Sequence, residues 1–299
     1  MEESRISTVL TIAGSDPSAG AGIQQDLKTI TSLGCYGTTV ITALTVQNTK
    51  GVQAVMPVPG DIVRQQLDAI FSDIRIDAIK IGQIPDRNVA QAIVEALKRY
   101  ASQLPVIYDP VMISTSGHRL MAEDAVEYIT THLFPLCTLI TPNIHEAQYL
   151  DTLLHTNLSS LANYPSAHDS LESKLDTVNG ASAQCRQEEG VTTDSDSTLS
   201  CTPAFLVKGG HSESPLMTDI LYDDKTVRTF TSPRIETHNL HGTGCTLSSA
   251  IASFMATGKD MGEAIALAKD YMTLAIKGGK TITIGHGNGP LYVKTHIND

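Results

Sequence analysis

Between residue 7 and about residue 150, short runs of β-branched and other apolar residues alternate with longer stretches whose apolar positions recur at helical spacing. Few folds are open to such a chain. Each strand-then-helix unit returns to a parallel neighbour, which predicts an α/β protein in which a central, mostly parallel sheet is flanked by helices. The strand-like runs are 8–13, 38–46, 77–81, 105–108 and 137–140. Most are continuously apolar rather than alternating, as expected where both sheet faces are covered. Stretches 22–33, 61–71, 87–100 and 123–133 have the spacing and composition of crossover helices. Further on, 204–207 reads as a strand, 219–230 as an antiparallel hairpin around Asp223-Asp224, and 243–256 and 262–277 as two helices. The length of 299 residues permits one domain or two.

Residues 151–203 break this rhythm: 16 of the 53 are Ser or Thr, and eight acids face two bases. That composition predicts an exposed, partly disordered surface insertion without chemistry, with one weak helix near 159–175. It carries much of the net charge of −11, a sign unsuited to neutralising nucleic-acid phosphates. Any anion must therefore be held locally. No run approaches the roughly 18 apolar residues of a membrane-spanning helix. The N-terminus lacks the basic-then-apolar order of a secretory signal. The expectation is a cytoplasmic protein without membrane or nucleic-acid partners. Five scattered cysteines (Cys35, Cys137, Cys185, Cys201 and Cys245), with no C-x-x-C pair, argue against a disulfide framework and a zinc site.

Four motifs carry chemistry. Gly14-Ser15-Asp16-Pro17-Ser18-Ala19-Gly20-Ala21-Gly22 follows the first strand and opens a helix, yet it matches neither G-x-x-x-x-G-K-[ST] nor G-x-G-x-x-G. It reads either as a ligand-approaching turn at the carboxyl edge of the sheet or as a tight turn serving helix packing. His241-Gly242-Thr243-Gly244-Cys245-Thr246 precedes an apolar helix, and its glycines free backbone amides to converge on an anion favoured by the helix dipole. Cys245 in the first turn is either a base with a lowered thiol pKa or a small packing residue. Asp109-Pro110 and Asn143-x-x-Glu146 each follow a strand and offer hard oxygen ligands suited to Mg²⁺. Asn143 and Glu146 also fit a reciprocal helix cap. Lys208 in Lys208-Gly209-Gly210-His211 is placed to reach a nucleotide phosphate.

The blocks TIAGSDPSAGAGIQQDLKT, VITALTVQNTKGVQ, FSDIRIDAIKIG, DPVMISTSG, LITPNIHEA, FLVKGGH and HGTGCTLSSAIA together resemble the hydroxymethylpyrimidine and phosphomethylpyrimidine kinases of thiamin synthesis, in the ribokinase-like superfamily. They span residues 8–257 and omit mainly the 151–203 insertion. The resemblance implies that residues 1–299 form a single domain with a three-layer ribokinase-like fold, ATP and Mg²⁺ as cofactors, and a small-molecule pyrimidine as substrate. It also implies that Gln47 pairs with the pyrimidine ring nitrogen and exocyclic amine, with Gly14, Asp16, Ala21, Gln83 and Val111 around it. Asp109 and Glu146 would hold magnesium, while Asn143, Lys208 and Thr243 bind nucleotide phosphates. The turn Gly242, Thr243, Gly244 and Cys245 would form the anion hole. Cys245 as catalytic base, where most of the superfamily has Asp, is likewise implied by the match, and so is a homodimer.

One position departs. The family usually has Met after Lys-Ile-Gly, and this chain has Gln83. An amide there keeps a pyridoxal kinase as the alternative, since pyridoxal is another aromatic ring bearing a hydroxymethyl group. A sugar kinase would share the fold and the anion hole but needs polar residues for sugar hydroxyls. A non-catalytic pyrimidine or nucleotide sensor would have no use for an anion hole, metal carboxylates and a base together.

Overall fold

The computed structural model describes residues 5–112, 120–154, 203–209, 215–223 and 226–293. Nine strands form one sheet: β1 (Thr8–Ser15), β2 (Tyr36–Asn48), β3 (Gly51–Pro57), β4 (Ala78–Ile81), β5 (Val106–Tyr108), β6 (Leu139–Ile140), β7 (Ala204–Val207), β8 (Leu216–Asp223) and β9 (Thr226–Pro233). Their order is β3-β2-β1-β4-β5-β6-β7-β8-β9. From β2 through β7 all neighbours run parallel, and β3, β8 and β9 add antiparallel edges. The helices are α1 (Gly22–Ser32), α2 (Gly60–Asp73), α3 (Arg87–Tyr100), α4 (Glu123–Tyr128), α5 (Ile144–Leu154), α6 (Thr243–Ala256) and α7 (Met261–Gly279).

Because successive strand residues face opposite ways, each central strand feeds two cores. Leu10, Ile12, Ile79, Ile81 and Tyr108 join one with residues of α2 and α3. Val9, Ala78, Ile107 and Leu139 join the other with residues of α6 and α7. That is the three-layer arrangement expected. The buried face of α6 extends nearly all round, Thr246 through Ser253, because it lies against β1, β4, β5, α1 and α7. Its serines remain satisfied by i−4 bonds, Ser249 Oγ to Cys245 O at 2.7 Å and Ser253 Oγ to Ser249 O at 2.8 Å.

The strand expected at 38–46 is longer and folds back onto β3, a strand absent from the sequence reading. β3 is mostly exposed, so it has no continuous apolar run to reveal it. The helix expected at 123–133 ends as α4 at Tyr128 and continues as a wider π turn, Ile129–Leu133, and a 3₁₀ turn, Phe134–Leu136. Pro135 in that last turn cannot donate to an α-helical ladder. The β8–β9 hairpin pairs from Leu216↔Pro233 to Asp223↔Thr226, longer than the reading of 219–230. The expected insertion helix at 159–175, with Cys185 and Cys201, lies outside the described residues. Among the described residues no helix is long and apolar enough to cross a membrane.

Candidate active site

The parallel strands end along one edge, and the residues that follow them are those flagged from sequence. Asp16 follows β1, Gln83 lies two residues beyond β4, Asp109 follows β5, Asn143 lies three beyond β6, and Lys208 follows β7. Ligands in open α/β sheets bind at this carboxyl edge. Here it borders a cavity of about 950 Å³ that also reaches Gly14, Ala21, Gln47, Val111, Glu146 and the turn from Gly242 to Cys245.

The first turn of α6 forms the far wall. Gly242 sits at φ +87° as the N-cap and supplies no side-chain cap. A Cβ there would collide with the carbonyl oxygen of Gly20, so only glycine permits this approach. Thr243 N–H donates to Leu240 O at 3.3 Å, which leaves Gly244 and Cys245 to present first-turn amides without intrahelical partners. Gly244 abuts the carboxylate and ammonium opposite: a Cβ on it would lie 2.9 Å from Asp109 Oδ2 and 3.4 Å from Lys208 Nζ.

Lys208 Nζ donates to Asp109 Oδ1 at 2.7 Å, and Thr141 Oγ1 donates to the same oxygen at 3.2 Å. Burial alone would lower Lys208, but Asp109 and Glu146 outweigh it and hold the ammonium charged. Asn143 and Glu146 make the reciprocal cap of α5: Asn143 N–H donates to Glu146 Oε2 at 2.7 Å, and Glu146 N–H to Asn143 Oδ1 at 2.9 Å. The cap aims the buried Glu146 carboxyl toward Lys208 and Asp109. Among the described residues no three His, Cys, Asp or Glu side chains gather to hold a metal by protein ligands alone. Two buried carboxylates completed by water and phosphate oxygens fit Mg²⁺, which rarely takes an all-protein cage.

Burial pushes Glu146 up to about 7, with Asp109 adding to it and Lys208 opposing. The folded state thus binds this proton more tightly than the unfolded chain. Stability in magnesium-free buffer is expected to fall as pH rises from the ordinary carboxyl range through about 7. Urea midpoints between pH 5 and 8 check this. Glu146→Gln should flatten the slope, and equal slopes in both proteins would refute it.

Of the two sequence readings of Cys245, a lowered thiol pKa is not what the packing gives: burial pushes it up to about 11, against the pull of Lys80 and of the Gly22 N–H. Packing the turn against α1 desolvates the thiol, and this outweighs the help of the helix terminus. Asp16 borders the cavity. Its carboxylate is taken up within the protein: Oδ1 accepts from Ser18 N at 2.8 Å and Ser18 Oγ at 2.7 Å, and Oδ2 from Ala21 N at 2.9 Å and Gly20 N at 3.2 Å. His241 Nε2 lies 2.9 Å from Oδ2 as well. Burial would raise Asp16, but these bonds outweigh it and hold the carboxyl below its usual range. Asp16 therefore shapes the 16–21 loop and, through His241, ties it to the turn that opens α6.

Gln47 borders the cavity, with its amide nitrogen 3.1 Å from His241 Nε2 and its oxygen accepting from Thr45 Oγ1 at 3.2 Å. His241 thus joins the two ends of the site, a role its place before Gly242 hinted at without fixing. Gln83 packs its amide oxygen against Gly14, where any Cβ would overlap it, and its amide nitrogen is 3.4 Å from Leu120 O. Sequence reading also passed over Lys80 and Asp26, a fully buried pair beneath the turn.

A helix N-terminus facing a lysine and two carboxylates at the carboxyl edge of a three-layer α/β sheet defines a phosphotransferase of the ribokinase-like class. The chain belongs to the Phosphomethylpyrimidine kinase family, which it matches over residues 16–179 and 176–292. It is 41% identical over 283 residues to the hydroxymethylpyrimidine/phosphomethylpyrimidine kinase of Rhizobium meliloti, covering 95% of each chain. It is 40% identical to the Escherichia coli enzyme of that name, over 95% of this chain and 96% of that one. A crystal structure of a Clostridium difficile phosphomethylpyrimidine kinase superposes with TM-score 0.66 at 37% identity, covering 91% of this chain and all of that one. The Staphylococcus aureus pyridoxal kinase in complex with AMP-PCP and pyridoxal superposes with TM-score 0.73 at 29% identity, over 96% and 93% of the chains.

Proposed function

We propose that this chain uses ATP to phosphorylate the hydroxymethyl group of 4-amino-5-hydroxymethyl-2-methylpyrimidine, and then the monophosphate to the diphosphate, for thiamin synthesis. The observation that carries the reading is one cavity in which the uncapped first turn of α6 faces Lys208 and two buried carboxylates. Relatives about 40% identical over nearly the whole chain are kinases of this pyrimidine. The pyridoxal kinase alternative has less support, since the solved pyridoxal kinases are 28–29% identical.

Phosphoryl transfer asks mainly for positioning and charge stabilisation. Cys245, as thiolate, takes the proton of the substrate hydroxyl. The freed oxygen bonds to the γ-phosphorus of ATP while the bond to the bridging β–γ oxygen breaks, and ADP leaves with that electron pair. In the second round a phosphate oxygen of the monophosphate attacks. Lys208 and the amides of Gly244 and Cys245 meet the charge that develops on the transferring group. Asn143 and Thr243 contact the nucleotide phosphates. Asp109 and Glu146 hold Mg²⁺, which supplies neutralisation of phosphate charge. Gln47 reads the polar edge of the pyrimidine, with Gly14, Asp16, Ala21, Gln83 and Val111 shaping the pocket around it.

An ADP-release assay with ATP and Mg²⁺ tests this, offering the hydroxymethylpyrimidine, its monophosphate, pyridoxal and ribose separately. Turnover of both pyrimidine species is expected. Turnover of pyridoxal alone would mean that Gln83 redirects the pocket, and tight pyrimidine binding without ADP release would make the chain a sensor.

A further inference from the structure

Lys80 on β4 and Asp26 on α1 form an ion pair with neither side chain exposed. Lys80 Nζ lies 2.9 Å and 2.8 Å from the two carboxylate oxygens. Asp26 Oδ2 also accepts from Thr11 Oγ1 at 2.6 Å. Its Oδ1 lies 2.6 Å from Ser249 Oγ, which in turn lies 2.7 Å from the carbonyl oxygen of Cys245. The neighbouring residues repeat the link, since Gln25 Nε2 donates to Thr246 Oγ1 at 3.0 Å. Two adjacent bolts thus join α1 to the first turn of α6, and the inner one contains a buried cation that borders the cavity.

Packing alone does not explain that cation. A buried ion pair loses so much hydration that apolar side chains of similar volume often stabilise a fold as well or better. Its location supplies another reason. We propose that the Lys80–Asp26 pair is a positioning device for Cys245, with Ser249 fixing the turn that carries the thiol and the ammonium placing a permanent positive charge behind the sulfur. This rests on Cys245 being the proton acceptor. The charged groups that act on the thiol are Lys80 from β4, Asp26 from α1 and Asp109 from the end of β5, and the lowering by Lys80 exceeds the raising by Asp26. In a poorly hydrated site a fixed charge acts far more strongly than in water. Here it favours the thiolate that must exist before the substrate O–H breaks and the S–H forms.

The test separates charge from packing. Lys80→Met/Asp26→Asn removes both charges, while the amide oxygen still accepts from Thr11 Oγ1 and the amide N–H donates to Ser249 Oγ, whose own proton goes to the Cys245 carbonyl oxygen. It is expected to keep the wild-type circular dichroism and KM for ATP, to lose about 10²-fold in kcat, and to slow alkylation of Cys245 by iodoacetamide at pH 8 about tenfold. Alkylation is read by mass spectrometry on the peptide containing Cys245. Ser249→Ala breaks only the link to the turn and is expected to lower kcat several-fold at unchanged KM, so the proposal stays testable if the double variant does not fold. Wild-type kcat and alkylation in the double variant, or wild-type kcat in Ser249→Ala, overturns the proposal. Full turnover by Cys245→Ala would instead remove the base reading on which it rests.

Discussion

Cys245→Ala is expected to lose about 10²- to 10⁴-fold in kcat, the usual worth of a positioned general base, while binding ATP within a few-fold of wild type. The sulfur stands where α1, β4 and the anion-hole turn meet, and its polar contact is with the Gly22 N–H rather than with a side chain needed for folding. Removing it leaves the Lys208–Asp109 pair and the α5 cap in place. ATP titration and ADP release on the same preparation separate the two effects. Retention of full turnover would sink the assignment of Cys245 as base. Its high thiol pKa in the free protein adds a second signature. Alkylation of Cys245 should stay slow at neutral pH and rise about tenfold per unit toward about 11, because only the thiolate reacts.

For Gly242→Ala, both stability and turnover are expected to fall. The residue lies at φ +87°, where an L side chain costs about 1–2 kcal/mol. A methyl group there also meets the Gly20 carbonyl oxygen and lies 3.3 Å from Gln25 Cγ, so the loop or the helix turn has to move. Moving the turn misaims the Gly244 and Cys245 amides, and losing one such donor typically costs about 10²- to 10³-fold in kcat. Gly258 provides the control. It has φ +89° at the other end of α6 and nothing within 4 Å of an added Cβ. Gly258→Ala should therefore lower the thermal midpoint through backbone strain and leave turnover unchanged. Wild-type turnover in Gly242→Ala would show that the turn amides are not the anion hole.

The sequence alone determined the layered α/β class, because continuous apolar strands alternating with amphipathic helices have few other ways to bury both kinds of surface. It also determined which residues follow the strands, and therefore that Asp109, Asn143 and Lys208 share an edge, since parallel strands put every carboxyl end on one side. The short range of turn and cap chemistry made the α5 cap and the opening of α6 legible from Asn143-x-x-Glu146 and Gly242-Thr243-Gly244. β3 escaped notice because an exposed edge strand carries no burial pattern. The tertiary structure alone decided the partners across long separations: Asp16 and Gln47 with His241, Asp26 with Lys80 and Ser249, and Gly14 with Gln83. It also set the pKa of Cys245 above the ordinary thiol value, which the sequence left open. A helix terminus acts on a thiol through its own first turn, which sequence reveals, but desolvation depends on what packs against that turn, and those residues come from α1 and β4, far away in the chain.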